Sequence, residues 1–223
     1  MTEPAEAPET TGGHRHYVPA MGRDRLLPVY DVFTRLLGVP AAHRHLADQA
    51  AIEPGHDVLE VGCGTGNLAL RVARRHPDAR VVGLDPDPRA LALARRKAAR
   101  RGLAVQLDRG FGDALPYPDG SFDRVLSTFM LHHLGPAEKP AMLRKIARVL
   151  RPGGQLHLLD FGGSHHHTPR GFLARRTQAN PLLQDNMGDR IPALMREAGL
   201  RDARETGQVK TRAGHCAVFR AVR

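Results

Sequence analysis

The stretch Val58-Leu59-Glu60-Val61-Gly62-Cys63-Gly64-Thr65-Gly66 constrains this chain most. Val58 to Val61 reads as a buried strand carrying one acid, Glu60, and it runs directly into a turn with glycine at every second position. Asn67 to Arg75 continues as a helix, with Leu68, Val72 and neighbouring alanines on one face. Strand, glycine turn and helix in that order are how α/β folds bring bare backbone close to a nucleotide-like ligand. The dinucleotide fingerprint spaces its glycines G-x-G-x-x-G and holds a pyrophosphate on the helix N-terminus. Here the spacing is G-x-G-x-G, which argues against a nicotinamide oxidoreductase.

Glycine turns also serve as plain strand–helix connectors, so the next strand matters. Arg80-Val81-Val82-Gly83-Leu84 ends at Asp85, about 20 residues beyond the loop, where such folds place an acid on ribose hydroxyls. Asp87, followed by Pro88 at a first helical position, has the form of a helix cap, which leaves Asp85 free for a ligand. Pro88 to Arg101 is a helix closed by Gly102, and Ala104 to Leu107 is a short strand. A strand over Arg124 to Thr128 leads to Phe129-Met130-Leu131-His132-His133-Leu134, where the crevice of the sheet should lie. Pro136 to Leu150 is a helix with Leu143, Ile146 and Leu150 inward; Arg151-Pro152-Gly153-Gly154 is a sharp stop; Gln155 to Leu159 is a fifth strand ending at Asp160. A helix from Arg190 to Ala198 stops at Gly199, and Arg201–Gln208 with His215–Val222 form a closing antiparallel pair.

Ahead of the first strand, Leu26, Val29, Tyr30, Phe33, Leu36 and Leu37 recur at helical spacing up to Gly38, and a second helix covers Ala41 to Ala51. Residues 1–22 read as a disordered N-terminal tail, since Met1 to Gly13 holds prolines and glutamates with almost nothing apolar. Residues 23–223 are then one domain, long enough for a full α/β core. No apolar run approaches the roughly 20 residues that span a bilayer, and the N-terminus has no signal-peptide core. Two cysteines, Cys63 and Cys216, make no disulfide framework and point to a reducing, cytoplasmic setting, with Cys63 a small residue filling a tight turn.

A formal charge of +10 invites a nucleic-acid reading. Position argues otherwise. Arg74 and Arg75, Arg100 and Arg101, and Arg148 and Arg151 fall near the C-terminal ends of helices, where cations complement the helix dipole and lie at the sheet edge opposite the crevice. Ser164-His165-His166-His167-Thr168 has no Cys, Asp or Glu at ligand spacing beside it, so no metal site is expected. The segment Gly162 to Gly188 otherwise offers one basic, apolar cluster, Arg170, Phe172, Leu173, Arg175 and Arg176, expected on the crevice side as a cover for an acceptor pocket.

These motifs resemble those of class I S-adenosylmethionine (SAM)-dependent methyltransferases. The glycine turn matches motif I, Gly112 to Asp123 looks like motif II, and helix, Arg-Pro-Gly-Gly and strand look like the motif III region. Tyr30-Asp31 resembles the aromatic-acid pair ahead of motif I in the ubiquinone/menaquinone-biosynthesis C-methyltransferase group. The resemblance implies a Rossmann-like α/β fold: a seven-stranded, mainly parallel sheet, helices on both faces and a reversed C-terminal strand. It implies SAM as cofactor, with Gly62, Gly64 and Gly66 around its methionine part and Asp85 on its ribose. Asp113 would face the adenine amine, which only donates to a carboxylate that only accepts. Glu60, Cys63, Pro86, Ala114 and Thr128 complete the implied cofactor-binding set.

The expected reaction is methyl transfer to a small-molecule acceptor, quinone-like or lipid-like. The sulfonium charge already activates the donor, so alignment and, for O or C acceptors, removal of a proton remain for the protein. His132 or His133 with Asp160 should meet at one pocket from neighbouring strand ends, as a general base and its orienting acid. Two alternatives stand beside this reading. A nucleic-acid methyltransferase is disfavoured because Ser127 to Met130 lacks a proline-tyrosine motif and no Pro-Cys nucleophile is present. A non-catalytic SAM-fold binding protein is opposed by the intact acids and glycines. The acceptor and the oligomeric state are not legible in the residues.

Overall fold

The structure, a computed structural model, describes residues 31, 34–163, 186–212 and 214–223. The expected tail over 1–22, the helix start at Leu26, His165 to His167 and the cluster around Phe172 and Arg175 lie outside the described residues. In chain order the elements are α1 (Val39–Gln49), β1 (Asp57–Val61), α2 (Asn67–Arg75), β2 (Arg80–Asp85), α3 (Pro88–Arg100), β3 (Gln106–Arg109), β4 (Phe122–Thr128), α4 (Glu138–Val149), β5 (Leu150–Phe161), α5 (Arg190–Glu197), β6 (Arg201–Thr211) and β7 (Gly214–Val222).

The strands form one sheet in the order β3-β2-β1-β4-β5-β7-β6. β7 runs antiparallel to both β5 and β6, and the other pairings are parallel. This is the expected sheet with a reversed C-terminal strand. The strand order reverses between β1 and β4, and at such a switch point the connections leave in opposite directions and open a crevice at the strand C-termini.

Period-two alternation divides the core between the two faces. Leu59, Val61, Val125, Leu156, Leu158 and Phe219 pack on one side with Leu143 and Ile146 of α4 and Leu194 of α5. Val58, Leu126, Leu159 and Val218 pack on the other with Leu46 of α1 and Leu68 and Val72 of α2. Both faces are covered, which is why these strands read as continuous apolar runs. At the strand N-termini, away from the crevice, Arg151 bridges Asp57 and Asp123, tying β5 to β1 and β4. Arg74 and Arg75 sit in the last turn of α2, and Arg148 in that of α4, at this same edge.

Several boundaries differ from the sequence expectation, each for a local reason. α1 starts at Val39 rather than Ala41, because Gly38 caps it in the left-handed region and Pro40 fits the first turn, where a missing N–H costs nothing. β3 lies two residues later than expected, since Leu103 N–H is still closing α3 on Ala98 and the register with β2 begins at Gln106 opposite Val82. Arg151 to Gly154 belongs to β5 rather than forming a stop before it; the chain there is bulged, with a register shift against Phe122 and Arg124. α4 begins at Glu138 rather than Pro136, and Glu138 Oε2 accepts from Gly135 N–H just ahead of it at 2.7 Å.

Gly66 caps α2 with φ of 76°, and a Cβ built there would stand 2.9 Å from Ala94 Cβ on α3. Gly153 has φ of 80° with nothing within 4 Å of such a Cβ. Gly66→Ala should therefore lose about 1–3 kcal/mol, and more than Gly153→Ala, which suffers backbone strain alone. Urea unfolding of the two variants checks this; equal losses would show that the α2–α3 contact costs nothing.

Candidate active site

The end of β2 stitches the glycine turn in place. Gly62 N–H and Cys63 N–H both donate to Leu84 O, at 2.8 and 3.0 Å, and Gly64 N–H donates to Asp85 Oδ2 at 2.7 Å. Asp85 Oδ1 accepts from Asp87 N–H at 2.9 Å. Asp85 is thus engaged with backbone rather than free, although each carboxylate oxygen has capacity for a further donor. Asp87 caps α3 as expected, its Oδ1 accepting from Arg89 N–H at 2.8 Å, and its Oδ2 is buried without a partner. Cys63 fills the turn: a Cβ on Gly83 would stand 2.9 Å from its Sγ, and burial raises the thiol well above its ordinary pKa. Glu60 is 2% exposed, and its Oε2 accepts from Ala69 N–H of α2 at 2.7 Å. Burial pushes its pKa up to about 8 against that bond, so Glu60 carries a proton at neutral pH.

The ends of β4 and β5 build a second cluster. Asp160 is fully buried, and its Oδ1 lies 2.7 Å from His132 Nδ1 and also accepts from Phe161 N–H at 2.7 Å. Its Oδ2 accepts from the backbone N–H of His132 at 3.2 Å. Burial disfavours the charged imidazole, but the charge and hydrogen bond of Asp160 outweigh it and hold His132 above the usual histidine pKa. His133 is exposed and stacks on His132, with ring centroids 4.0 Å apart. Phe161 meets His132 edge-on at 5.1 Å and Phe129 at 5.4 Å. Phe129 adopts φ of 52°, a conformation of about 1–3 kcal/mol strain for a bulky residue, which turns the chain out of β4. From α1, His43 sits 3.4 Å from Thr128 Oγ1, and burial with the nearby charges of Arg71 and Lys97 lowers it to about 4, leaving it neutral.

One cavity of about 570 Å³ joins the two clusters. Of the residues singled out from the sequence, Glu60, Gly62, Cys63, Gly64, Asp85, Pro86, Thr128, His132 and His133 are on its wall. Gly66 is behind the turn as the α2 cap, and Asp160 is behind His132. Asp113 and Ala114 are not on the wall; Gly110, Phe111 and Gly112 are, and Ala114 N–H closes a turn on Phe111 O just beyond them. Sequence reasoning passed over His43, Phe161 and the wall residues Thr65 and Asn67. It also passed over Lys97, whose Nζ bonds Asp31 Oδ2 and Asn67 Oδ1, both at 2.8 Å. The Tyr30-Asp31 pair was the one signal pointing there. Among the described residues no group of three His, Cys, Asp or Glu could hold a metal ion.

A methyltransferase-domain family profile matches residues 58–154. A demethylmenaquinone methyltransferase of Thermus thermophilus is 42% identical over 139 residues, covering 61% of this chain and 62% of that protein. The ubiquinone/menaquinone biosynthesis C-methyltransferase UbiE of Xanthomonas oryzae is 33% identical over 175 residues, covering 70% of this chain and 68% of that protein. The chain belongs to the SAM-dependent methyltransferase family. It spans about three fifths of the length of the first curated relatives it matches, 62%, 57% and 56%. The crystal structure of the [4+2]-cyclase SpnF aligns with a TM-score of 0.69 at 22% identity, covering 82% of this chain and 80% of that one, and shows the shared fold.

The cavity fits the cofactor of this methyltransferase family. Gly64 is on the wall with nothing within 4 Å of where a Cβ would stand, so bare backbone faces open space. Asp85 and Asp87 are carboxylates on the same wall, acceptor chemistry that fits a pair of ribose hydroxyls.

Two measurements check the electrostatics. A carboxyl that ionises near 4.5 in the unfolded chain and near 8 in the folded one makes the unfolded state give up its proton first. Stability should then fall as pH rises from about 4.5 to about 8, and Glu60→Gln, which keeps an acceptor for Ala69 N–H, should flatten that slope in urea titrations across pH. For His132 the order is reversed: its stabilising charge is complete below about 6.5 and is lost as pH rises through its higher folded value. Asp160→Asn should bring that value below the ordinary one, because burial and the Lys139 charge, which both lower it, then act unopposed; imidazole NMR titration reads the shift directly.

Proposed function

We propose that this chain is an enzyme that transfers a methyl group from SAM to a small-molecule acceptor. The observation that carries the reading is the single cavity running from the Asp85-stitched glycine turn to the His132–Asp160 pair. When bound, SAM supplies an electrophilic methyl group on a sulfonium. Asp85, with Asp87 beside it, would hold the ribose, and Gly64, whose backbone faces open space, would leave room for the methionine part beside Gly62. Pro86 and Gly110 to Gly112 would line the nucleoside side, and Thr128 and Met130 the acceptor side.

Acceptor chemistry falls to His132. Asp160 occupies its Nδ1 side, so Nδ1–H donates to the carboxylate and Nε2 is the atom that takes a proton. Phe161, packed on that ring and on Phe129, fixes its plane and excludes water. Of the two histidines, His132 is the base, because Asp160 orients it and His133 is exposed with no such partner among the described contacts. The aromatic wall suits a planar acceptor, and relatives named demethylmenaquinone methyltransferases support a quinone-type compound. Nucleic acid is not the substrate in this reading, since Arg74, Arg75, Arg148 and Arg151 lie at the sheet edge away from the cavity.

Charge-assisted hydrogen bonds are worth about 1.5–3 kcal/mol each, so Asp85→Ala should weaken SAM binding by at least about tenfold. Unchanged calorimetric affinity in a folded variant would remove the assignment. For the base, mass spectrometry of a metabolite extract incubated with methyl-labelled SAM identifies the acceptor. His132→Ala should then cut turnover by about 10²–10⁴-fold at saturating SAM, and wild-type turnover should rise with pH through a value above the usual histidine pKa. A loss smaller than about tenfold would leave alignment alone as the catalytic device.

A further inference from the structure

We infer that Asp31 is a positioning residue for the cofactor, holding the wall segment Thr34–Val39 against the glycine turn so that cofactor affinity depends on this contact. The inference rests on the reading that the cavity binds SAM. It starts from one carboxylate that meets three donors from two distant elements. Asp31 Oδ1 accepts from Thr65 Oγ1 at 2.7 Å and from Asn67 Nδ2 at 2.8 Å. Its Oδ2 accepts from Lys97 Nζ of α3 at 2.8 Å, and the same ammonium donates to Asn67 Oδ1 at 2.8 Å. Asp31, Asn67 and Lys97 thus form a closed ring of bonds, with Thr65 attached to it between Gly64 and Gly66.

The cluster is well shielded: the side chains of Lys97 and Asp31 are 12% and 29% exposed, and Thr65 is buried. Burial opposes ionisation of Asp31, yet the bonds from Lys97, Thr65 and Asn67 hold its carboxyl below the usual range. Asp31 is also joined to the wall segment, because Thr34 Oγ1 donates to its carbonyl at 3.1 Å. The far end of that segment is pinned at the β6–β7 turn, where Arg212 N–H donates to Leu37 O at 3.0 Å and its guanidinium to Leu36 O at 3.2 Å. Thr34, Leu37, Val39, Thr65 and Asn67 all face the cavity. One end of this wall is therefore fastened by the backbone and guanidinium of Arg212 and the other by the Asp31 side chain, which also sets the residue between two glycines of the turn.

Asp31→Asn is the sharpest perturbation, because it places an amide that both accepts and donates where three donors converge. Calorimetry on the full chain with S-adenosylhomocysteine as the probe compares wild type, Asp31→Asn, Lys97→Met and the double variant. Asp31→Asn should weaken binding by about tenfold or more, and the double variant should be no weaker than Asp31→Asn alone, since the two residues share one interaction. Hydrogen exchange separates this from a general loss of stability: the probe should protect amides 34–38 in wild type and fail to do so in Asp31→Asn. Equal affinity and equal protection in a folded Asp31→Asn protein would overturn the inference. If Asp31→Asn does not fold, Thr65→Val, which removes one donor and leaves the ion pair intact, carries the same test with a smaller expected loss. Wild-type protein that binds no probe would overturn the functional reading itself, and this inference with it.

Discussion

A short set of hydrogen bonds between the end of β2 and the turn after β1 sets the geometry of the whole site. Leu84 O accepts from two successive amides of the turn, and the Asp85 carboxylate accepts from a third. Those bonds curl the backbone at Gly62 to Gly66 toward the β2 side and aim α2 back over the sheet. Buried backbone amides must find partners. Here the partners come from the neighbouring strand rather than from a ligand, so the turn is shaped before any cofactor arrives. Glu60 adds a second brace by reaching from β1 to the amide of Ala69 on α2. Its proton at neutral pH follows from full burial and makes the brace a neutral one.

The fold was legible because its signals are local. Apolar runs bounded by glycine and proline marked the strands, and β1, α2 and β2 fell where the residues placed them. β3 slipped by two residues because pairing with β2 fixes it, and nothing in Ala104 to Arg109 records that pairing. The site was legible in part. His132 and Asp160 sit at ends of adjacent strands, a topological fact that the order of elements supplies. Choosing His132 over His133 needed the chain to turn at Phe129 and Leu131, and two adjacent identical residues carry no information about which faces the acid. Asp113 is a different case: its motif suggested a ligand contact, and the wall formed by the described residues includes Gly112 but not Asp113, a placement that depends on the turn over 111–114 rather than on the residue types. The Asp31–Lys97 contact spans 66 positions and could not be seen from either residue alone.

Family membership and fold leave the chemistry to a handful of side chains. A neighbour described as a [4+2]-cyclase shares this sheet and its helices, so the scaffold admits more than one reaction. What points to group transfer in this chain is the pairing of a backbone-lined glycine turn with an oriented imidazole in one cavity. Two of the three cavity histidines are also driven in opposite directions: His132 is held toward its charged form by a buried acid, and His43 is kept neutral by burial and by the cations around it. Environment alone separates two chemically identical groups into different roles.

Gly62 and Met130 meet on the wall of that cavity: a Cβ on Gly62 would stand 2.5 Å from Met130 Cγ. The backbone of the glycine turn and the side chain of Met130 therefore share one van der Waals boundary. Shortening residue 130 to admit a bulkier acceptor would also remove the packing that backs the turn, and lengthening it would press on the turn directly. In the proposed reading, donor grip and acceptor size would be coupled mechanically at this point, so redesign of acceptor scope would have to start by varying positions 62 and 130 together.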